Sequence, residues 1–527
     1  MKKIVSLLII FAAAIVISSS CTKDLDTIPL DQDVVTAANV FNNPEAYKEV
    51  LAKLYAGLAV SGQDGPAGNP DISGIDEGFG QYLRGWWYHQ ELTTDEAVIG
   101  WNDQTIKDFH HITWGSSDVF TSAMYYRIFY QISACNEYIR ETSDGKLDER
   151  GVSGQLRTDV EHFRAEARFL RALSYWHAMD LFGNVPFVTE ADAVGSFFPE
   201  QIQRKDLFDY VESELLDIED KLLPPRSEYG RADQAAAWAL LAKIYLNAEI
   251  YAGVNKYTEC ATYCNKVITA GYSLHPTYQN LFLADNDQCT DEVIFAITYD
   301  GDNTRTYGGT NFIIHAAIGG DMNPGDFGFG GGWGGTRTTS AFVNKFPDET
   351  GEADGRAMFF TSGQNKEIIN IGEFTDGYAI TKWKNVKSNG SGGKNIDYPD
   401  TDFPVFRLAD VYLMYAEAAA RGAADMGIAV DYVNEIRERA YGDETGNINA
   451  SQMTLDFILD ERARELYWEC HRRTDLIRFG KFTTADYLWP WKGNVPEGKA
   501  VLDKFNLFPI PASDIGANPN LQQNDGY

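Results

Sequence analysis

One segment of the chain, residues 161–181, carries apolar or small side chains on two sides of a predicted helix. An amphipathic surface helix has a single apolar stripe, so a helix with two stripes must pack against neighbours on two sides. This feature predicts stacked helix pairs. The first stripe is Phe163, Ala167, Leu170, Ser174, Ala178 and Leu181, and the second is Phe169, Leu173 and Trp176.

Two further segments repeat the pattern. A helix rich in alanine runs from Ala235 to Leu246, and a second helix runs from Tyr257 to Ile268 after a turn near Gly253. Small residues on the first helix and a tyrosine at the start of the second resemble a tetratricopeptide pair. Trp176 and Trp238 lie on the stripes of these helices, and we expect both in the core. The later helices are predicted over residues 406–421, 428–440 and 457–479.

Because a lone helix pair cannot bury both of its faces, several pairs must stack. We therefore predict a mostly α-helical, tetratricopeptide-like scaffold with long irregular loops and a few short strands. The helical repeats are expected mainly in residues 161–270 and 405–480, within a single domain of residues 41–527.

Two blocks lack helical periodicity and are rich in glycine and aromatic residues, residues 62–120 and residues 300–340. Loops on a rigid scaffold are the usual place for binding residues. The two blocks are therefore predicted to be the ligand-binding loops.

The first residues of the chain resemble an export signal. Lys2 and Lys3 precede an apolar run from Ile4 to Ile17, which is too short to span a bilayer, and serines lead to Cys21. We interpret residues 1–20 as a lipoprotein signal peptide, Cys21 as the lipidated residue and residues 21–40 as a tether. The alternative is a plain secretory signal with an incidental cysteine.

The composition and the motifs favour binding without catalysis. The net charge of −31 disfavours nucleic acid as a partner. The chain has no HExxH, GxSxG or GxxxxGK[ST] motif. Residues 330–335 match GxGxxG, but they follow no predicted strand and open no helix, and His110-His111 lacks partners for a metal. No cofactor is required.

Several blocks along the chain resemble the SusD/RagB family of outer-membrane nutrient-binding lipoproteins, which cap a TonB-dependent SusC-type porin. Cys470 departs from the family pattern, which has glycine there. The blocks are residues 166–172 (EARFLRA), 181–186 (LFGNVP), 406–418 (FRLADVYLMYAEA), 461–466 (ERAREL), 472–480 (RRTDLIRFG), 508–511 (FPIP) and 518–527 (NPNLQQNDGY).

The resemblance is strongest to the starch-binding member of the family, and it implies a set of site residues. Ile99 and Gln104 depart from that member, which has tryptophan and asparagine there. The loop with Asp287 resembles a calcium-site region, so Ca²⁺ is possible. The implied ligand contacts are the aromatic residues Trp101, Tyr307 and Trp333 and the polar residues Asp76, Arg84 and Gln104.

The resemblance implies a lipoprotein on the cell-surface face of the outer membrane. It would capture oligosaccharide, with starch or malto-oligosaccharide as the expected ligand, and deliver it to a SusC-type TonB-dependent transporter. Two alternatives stay open: a protein-binding scaffold subunit of a transporter for a non-glucan nutrient, and a lipid-anchored hydrolase.

Overall fold

The computed structural model of the protein describes residues 40–195 and 197–527. The predicted signal peptide, Cys21 and nearly all of the predicted tether lie outside these residues. The chain divides after Tyr47, and residues 48–527 form one unit, which holds the candidate site.

Seventeen α-helices dominate the described residues. They are α1 (Ala46–Ala59), α2 (Tyr82–Gln90), α3 (Ile106–His111), α4 (Val119–Glu141), α5 (Asp144–Glu149), α6 (Gly154–Phe182), α7 (Arg204–Ile218), α8 (Gln234–Leu246), α9 (Ala248–Ala252), α10 (Tyr257–Ile268), α11 (Gly309–Ala317), α12 (Ser340–Val343), α13 (Leu408–Ala420), α14 (Met426–Tyr441), α15 (Leu455–Leu466), α16 (Arg472–Arg478) and α17 (Ala512–Ala517).

Eight short strands pair in four antiparallel two-stranded sheets: β1 with β5, β2 with β3, β4 with β8 and β6 with β7. The strands are β1 (Val98–Ile99), β2 (Val185–Pro186), β3 (Gln201–Ile202), β4 (Val293–Ile297), β5 (Thr336–Arg337), β6 (Phe359–Phe360), β7 (Ala379–Ile380) and β8 (Phe403–Arg407).

The long helices pack in series, and the mostly helical, tetratricopeptide-like prediction is confirmed. Helix α6 lies between α4 and α7, while α10 packs on α8 and α13, and α13 packs on α14. The second half of α6 is buried on all sides, as its two stripes require. Trp176 is in the core, whereas Trp238 is only half-buried and donates its indole N–H to Glu219.

The single helix predicted over residues 457–479 is wrong. The structure has two helices there, α15 and α16, because Trp468 and Cys470 between them are left-handed, with φ of 62° and 66°. The backbone N–H groups of Cys470 and His471 donate to the carboxylate of Glu91, which fixes the break. Glycine adopts a left-handed backbone more readily than other residues do. This explains why the family pattern has glycine at the position of Cys470.

The blocks predicted as loops are not wholly irregular, because they contain α2, α3 and α11. Helix α2 was not predicted from the periodicity of the sequence because almost every side of it is buried, including the rings of Trp86 and Trp87. A helix without a polar face shows no alternation along the sequence. The loops that remain are therefore mounted on buried helices.

Buried ion pairs connect the segments that carry the family motifs. Arg407, which is 1% exposed, contacts Glu292 at 3.0 Å and both Glu465 and Glu469 at 2.6 Å. Burial alone would raise the pKa of Glu465, but the arginines around it, among them Arg439 and Arg407, lower that pKa to about 2. The motif residues therefore stabilise the scaffold as a charged network.

Within residues 40–195 and 197–527, no helix combines the length and the apolar content that crossing a bilayer demands.

Candidate binding site

Three aromatic side chains predicted to bind ligand lie next to one another on the surface. The ring centroids of Trp101 and Trp333 are 6.3 Å apart, with an angle of 47° between the ring planes. Tyr307 lies 6.4 Å from Trp333 at an angle of 67° and is 42% exposed. We call these three rings the aromatic arc. The structure brings the predicted residues together, and their role in binding stays a prediction.

Short strands and a glycine position the Trp101 ring. Strand β1 pairs with β5, and the N–H of Gly100 donates to the carbonyl of Gly335 at 2.9 Å. The indole lies over Gly335, where an added Cβ would come within 2.6 Å of two ring carbons of Trp101. The indole N–H donates to the carbonyl of Trp333 at 3.1 Å, which joins the two platforms.

Each of the other two rings has its own support. The imidazole of His315 stacks on Trp333, with centroids 4.8 Å apart and an angle of 16°. Burial lowers the pKa of His315 to about 4, so the imidazole is neutral at neutral pH. Arg84 donates from Nη1 to the carbonyl of Tyr307 and from Nε to the hydroxyl of Tyr88, both at 2.8 Å. The arc therefore rests on ordered side chains.

Two rings of the arc, Tyr307 and Trp333, border a cavity of about 590 Å³, within the usual range for small-molecule sites. Asp76 and Arg84 line this cavity beside Tyr307 and Trp333. The Oδ1 atom of Asp76 accepts N–H groups of its own loop, from Gly78 at 2.8 Å and from Phe79 at 3.1 Å. The cavity thus combines aromatic faces with a carboxylate and a guanidinium.

The two residues that depart from the starch-binding pattern occupy different places. Ile99 is fully buried in β1 and faces the core, not the cavity. Gln104 is exposed on the loop after Trp101, with a φ of 39°, and it does not line the cavity. Of the six predicted contacts, Gln104 is the one that the structure leaves apart from the others.

Comparison with known proteins identifies the family. Residues 354–527 match the model described as SusD family, and residues 82–246 match the model described as starch-binding associating with outer membrane. The chain is 36% identical over 571 aligned positions to the starch-binding protein SusD of Bacteroides thetaiotaomicron, covering 98% of each chain. The chain belongs to the SusD family. It is also 26% identical to SusD-like protein P2 of Formosa agariphila, covering 80% of this chain and 83% of that one.

Solved structures of the SusD superfamily share the fold. A protein from Parabacteroides distasonis superposes with a TM-score of 0.71 at 24% identity, covering 94% of this chain and all of that one. Surface glycan-binding protein A from Bacteroides thetaiotaomicron, solved in complex with laminarihexaose, gives 0.70 at 20% identity and covers 91% and 99%. The resemblance predicted from the sequence blocks is confirmed.

Sequence reasoning missed one ring of this SusD-family site. Tyr398 lies 6.4 Å from Tyr307 at an angle of 39° and extends the row of aromatic rings beyond the arc. Burial and a hydrogen bond with Tyr307 raise the pKa of Tyr398 to about 12. The signal was present, because Tyr398 follows a stretch rich in glycine and asparagine, the composition that marked residues 300–340.

The calcium site implied for Asp287 stays a prediction for this SusD-family protein. Asp287 borders a cavity of about 350 Å³ with Asp285, Asp300, Asp400 and Asp402. Ca²⁺ takes six to eight oxygen ligands, which include backbone carbonyls and waters, and no three acidic, histidine or cysteine side chains among the described residues are grouped to hold a metal by themselves. Several of these carboxylates bond instead to protein groups, namely Ser388, Lys394 and backbone N–H groups.

Proposed function

We propose that the protein binds oligosaccharide on the aromatic arc, with α-glucan of the starch or malto-oligosaccharide type as ligand. The observation that carries the proposal is the mutual tilt of three adjacent rings, 47° and then 67°, two of which, Trp333 and Tyr307, line one cavity. A sugar chain that stacks on successive tilted rings must curve. A curved α-glucan meets that requirement, whereas a flat ribbon-like chain does not.

The residue types suit a pyranose ring. Indole and phenol rings offer flat apolar area for the C–H face of a sugar, and the polar groups of Arg84 and Asp76 suit its hydroxyls. Three rings that each cover roughly 50–100 Å² contribute about 4–7 kcal/mol in total. Two hydrogen bonds add about 1–3 kcal/mol. Since association costs at least about 4 kcal/mol, an affinity in about the millimolar range follows.

One relative supports the choice of ligand class, and a structural neighbour supports the fold. The SusD relative, with 36% identity, is described as starch-binding, and the surface glycan-binding protein was solved with laminarihexaose. The second protein is too distant to indicate more than the fold. The higher identity of the first favours starch over other glucans as the ligand of this chain.

Location and delivery are parts of the same proposal. The protein would sit on the outer face of the outer membrane, tethered through lipid on Cys21, and pass its ligand to a SusC-type TonB-dependent transporter. Membership of the SusD family supports this, as does the family model described as associating with outer membrane. The lipoprotein-like sequence of residues 1–21 agrees with it.

Binding without cleavage is proposed because of how the acids at the cavity are used. Two carboxylates line it, Asp76 and Glu77. Asp76 accepts backbone N–H groups of its loop, and both oxygens of Glu77 accept the N–H of Gly68, at 3.1 and 3.0 Å. These contacts assign both acids to loop structure. Release of reducing ends from starch by the purified protein would contradict this part of the proposal.

Isothermal titration calorimetry tests the proposal. The purified protein is titrated with maltoheptaose and with cellohexaose, beside the variants Trp333→Ala and Trp238→Ala. Trp238 is the matched control, since it is a half-buried tryptophan on α8, outside the arc. We expect binding of maltoheptaose only, lost in Trp333→Ala and kept in the control. No heat with maltoheptaose, or equal affinity in both variants, would refute the proposal.

A further inference from the structure

One tryptophan outside the arc, Trp491, has an unusual backbone. It is half-buried in the turn that follows Trp489, and its φ is 69°, a region that bulky residues rarely adopt. Its indole N–H donates to the carbonyl of Ile368 at 3.0 Å, and its backbone N–H donates to Pro496 at 3.3 Å. Backbone strain of this kind is concentrated at functional sites. The strained backbone of Trp491 holds its indole ring partly exposed at the surface.

The surroundings of Trp491 resemble the setting of the aromatic arc. The ring packs on one side against a buried cluster that includes Val98 and Ile368. The imidazole of His111 lies 6.2 Å away at an angle of 39°, and burial lowers its pKa, so it is neutral at neutral pH. Ile369, which follows the Ile368 whose carbonyl accepts the Trp491 indole N–H, is 79% exposed. Apolar area is therefore rigidly supported and partly open to solvent.

Exposed residues connect this area to the arc. Asn102 follows Trp101 and accepts a hydrogen bond from Lys107 Nζ at 2.6 Å. Lys107 and His111 lie on one face of α3, four residues and about 6 Å apart along the helix axis. On the other side, the exposed Gly372 lies next to Lys107, since a Cβ added to Gly372 would be 3.8 Å from the Lys107 Nζ. Neighbouring side chains therefore link Trp101 to Trp491 through Asn102, Lys107 and His111.

We propose that Lys107, His111, Ile369 and Trp491, together the Trp491 surface, form a second carbohydrate platform. It takes the continuation of a long glucan chain whose other part is held by the arc, so the inference rests on the proposed function. One ring and one isoleucine offer far less than the roughly 1,000 Å² that a stable protein interface needs. Polar neighbours, Lys107 and Asn102, suit hydroxyl groups.

A single platform binds little alone, but it acts once the arc has captured the chain. Tethering a ligand at one site gives it a high effective concentration at the second, so a weak contact adds to the overall affinity. The gain in affinity depends on the length of the sugar chain. A short oligosaccharide occupies the arc only, whereas a long chain spans both.

The test compares maltotriose with soluble amylose as probes for the purified protein. The main variant is Trp491→Gly, because glycine accepts a positive φ without strain, and Trp491→Phe retains a flat ring. We expect Trp491→Gly to lower the affinity for amylose on the order of tenfold and to leave maltotriose unchanged. Trp491→Phe should bind amylose nearly as the parent does, as should the control Trp238→Ala.

Ile369→Asp is a second test that does not depend on the folding of Trp491→Gly, since that side chain is 79% exposed. It should also weaken amylose binding selectively. Parent-like amylose affinity in Ile369→Asp and in any folded Trp491→Gly would overturn the second platform, and intact maltotriose binding would leave the proposed function standing. Equal loss for both probes would also overturn it. A parent protein that binds neither probe would refute both proposals.

Discussion

Replacing Gly335 by alanine is expected to weaken glycan binding while the fold stays intact. The new Cβ would lie 2.6 Å from Cε2 and Cζ2 of Trp101 and 2.9 Å from its Nε1. Carbon atoms in contact prefer about 3.5–4.0 Å, so the indole must move by roughly 1 Å. The backbone itself accepts alanine, because the φ of Gly335 lies outside the left-handed region.

The expected losses of stability and of binding free energy follow from the contacts that the Trp101 indole loses when it moves. The hydrogen bond from Trp101 to the carbonyl of Trp333, 3.1 Å long, is lost, at a cost of about 0.5–1.5 kcal/mol in stability. The ring also leaves its place in the arc. Loss of one platform removes about 1–2.5 kcal/mol of binding free energy, which raises the dissociation constant by roughly 5- to 70-fold.

Calorimetric titration with maltoheptaose measures this change, and thermal unfolding measures the stability. Gly331→Ala is a matched control in the same loop, since nothing lies within 4 Å of its added Cβ and its φ is not positive. We expect parent-like binding in the control. If Gly335→Ala binds maltoheptaose as tightly as the control does, the Trp101 ring is not a binding platform, and the geometric reasoning fails.

Three further predictions concern the edge of the site and the scaffold. Tyr398→Ala should weaken the binding of maltoheptaose about 5- to 30-fold by calorimetry without lowering the melting temperature, and unchanged affinity would exclude this ring from the site. Arg407→Met should lower the free energy of unfolding in urea by about 3–5 kcal/mol, because three buried carboxylates lose their partner; a loss below 1 kcal/mol would contradict this. Burial raises the pKa of Glu91 and of its neighbour Glu96, so the folded state holds protons that the unfolded state releases above about pH 4.5. The contribution of this pair to stability is therefore full at lower pH and declines as the pH rises toward 7. Urea unfolding of Glu91→Gln should show a smaller decline than the parent does, and parallel pH profiles of variant and parent would disprove the linkage.

Local periodicity was sufficient to predict the helices whose two faces both pack. The predicted helix from Ala235 to Leu246 differs by one residue from α8, and that from Tyr257 to Ile268 coincides with α10. Apolar residues that recur at helical spacing are close together in the sequence, so the sequence alone predicts such helices. Helix α2 was missed for the opposite reason, because it is buried on nearly every side.

Features that depend on distant contacts were beyond local reasoning. The break between α15 and α16 depends on Glu91, far earlier in the chain, which receives the N–H groups of Cys470 and His471. The three rings of the arc were named through the family resemblance, but their angles depend on contacts between distant segments, among them the pairing of β1 with β5 and the hydrogen bond from Arg84 to Tyr307. Tyr398 contacts Tyr307 and Trp491 contacts Ile368. Both the tyrosine and the tryptophan lie in loops, and the course of a loop cannot be predicted from sequence periodicity.

A crystal structure of the protein with maltoheptaose tests the central claim most directly. The account predicts a curved sugar chain whose C–H faces stack on Trp101, Trp333 and Tyr307, with hydroxyl groups bonded to Arg84 or Asp76. A sugar bound elsewhere on the protein, or a chain that contacts no more than one of the three rings, would contradict it.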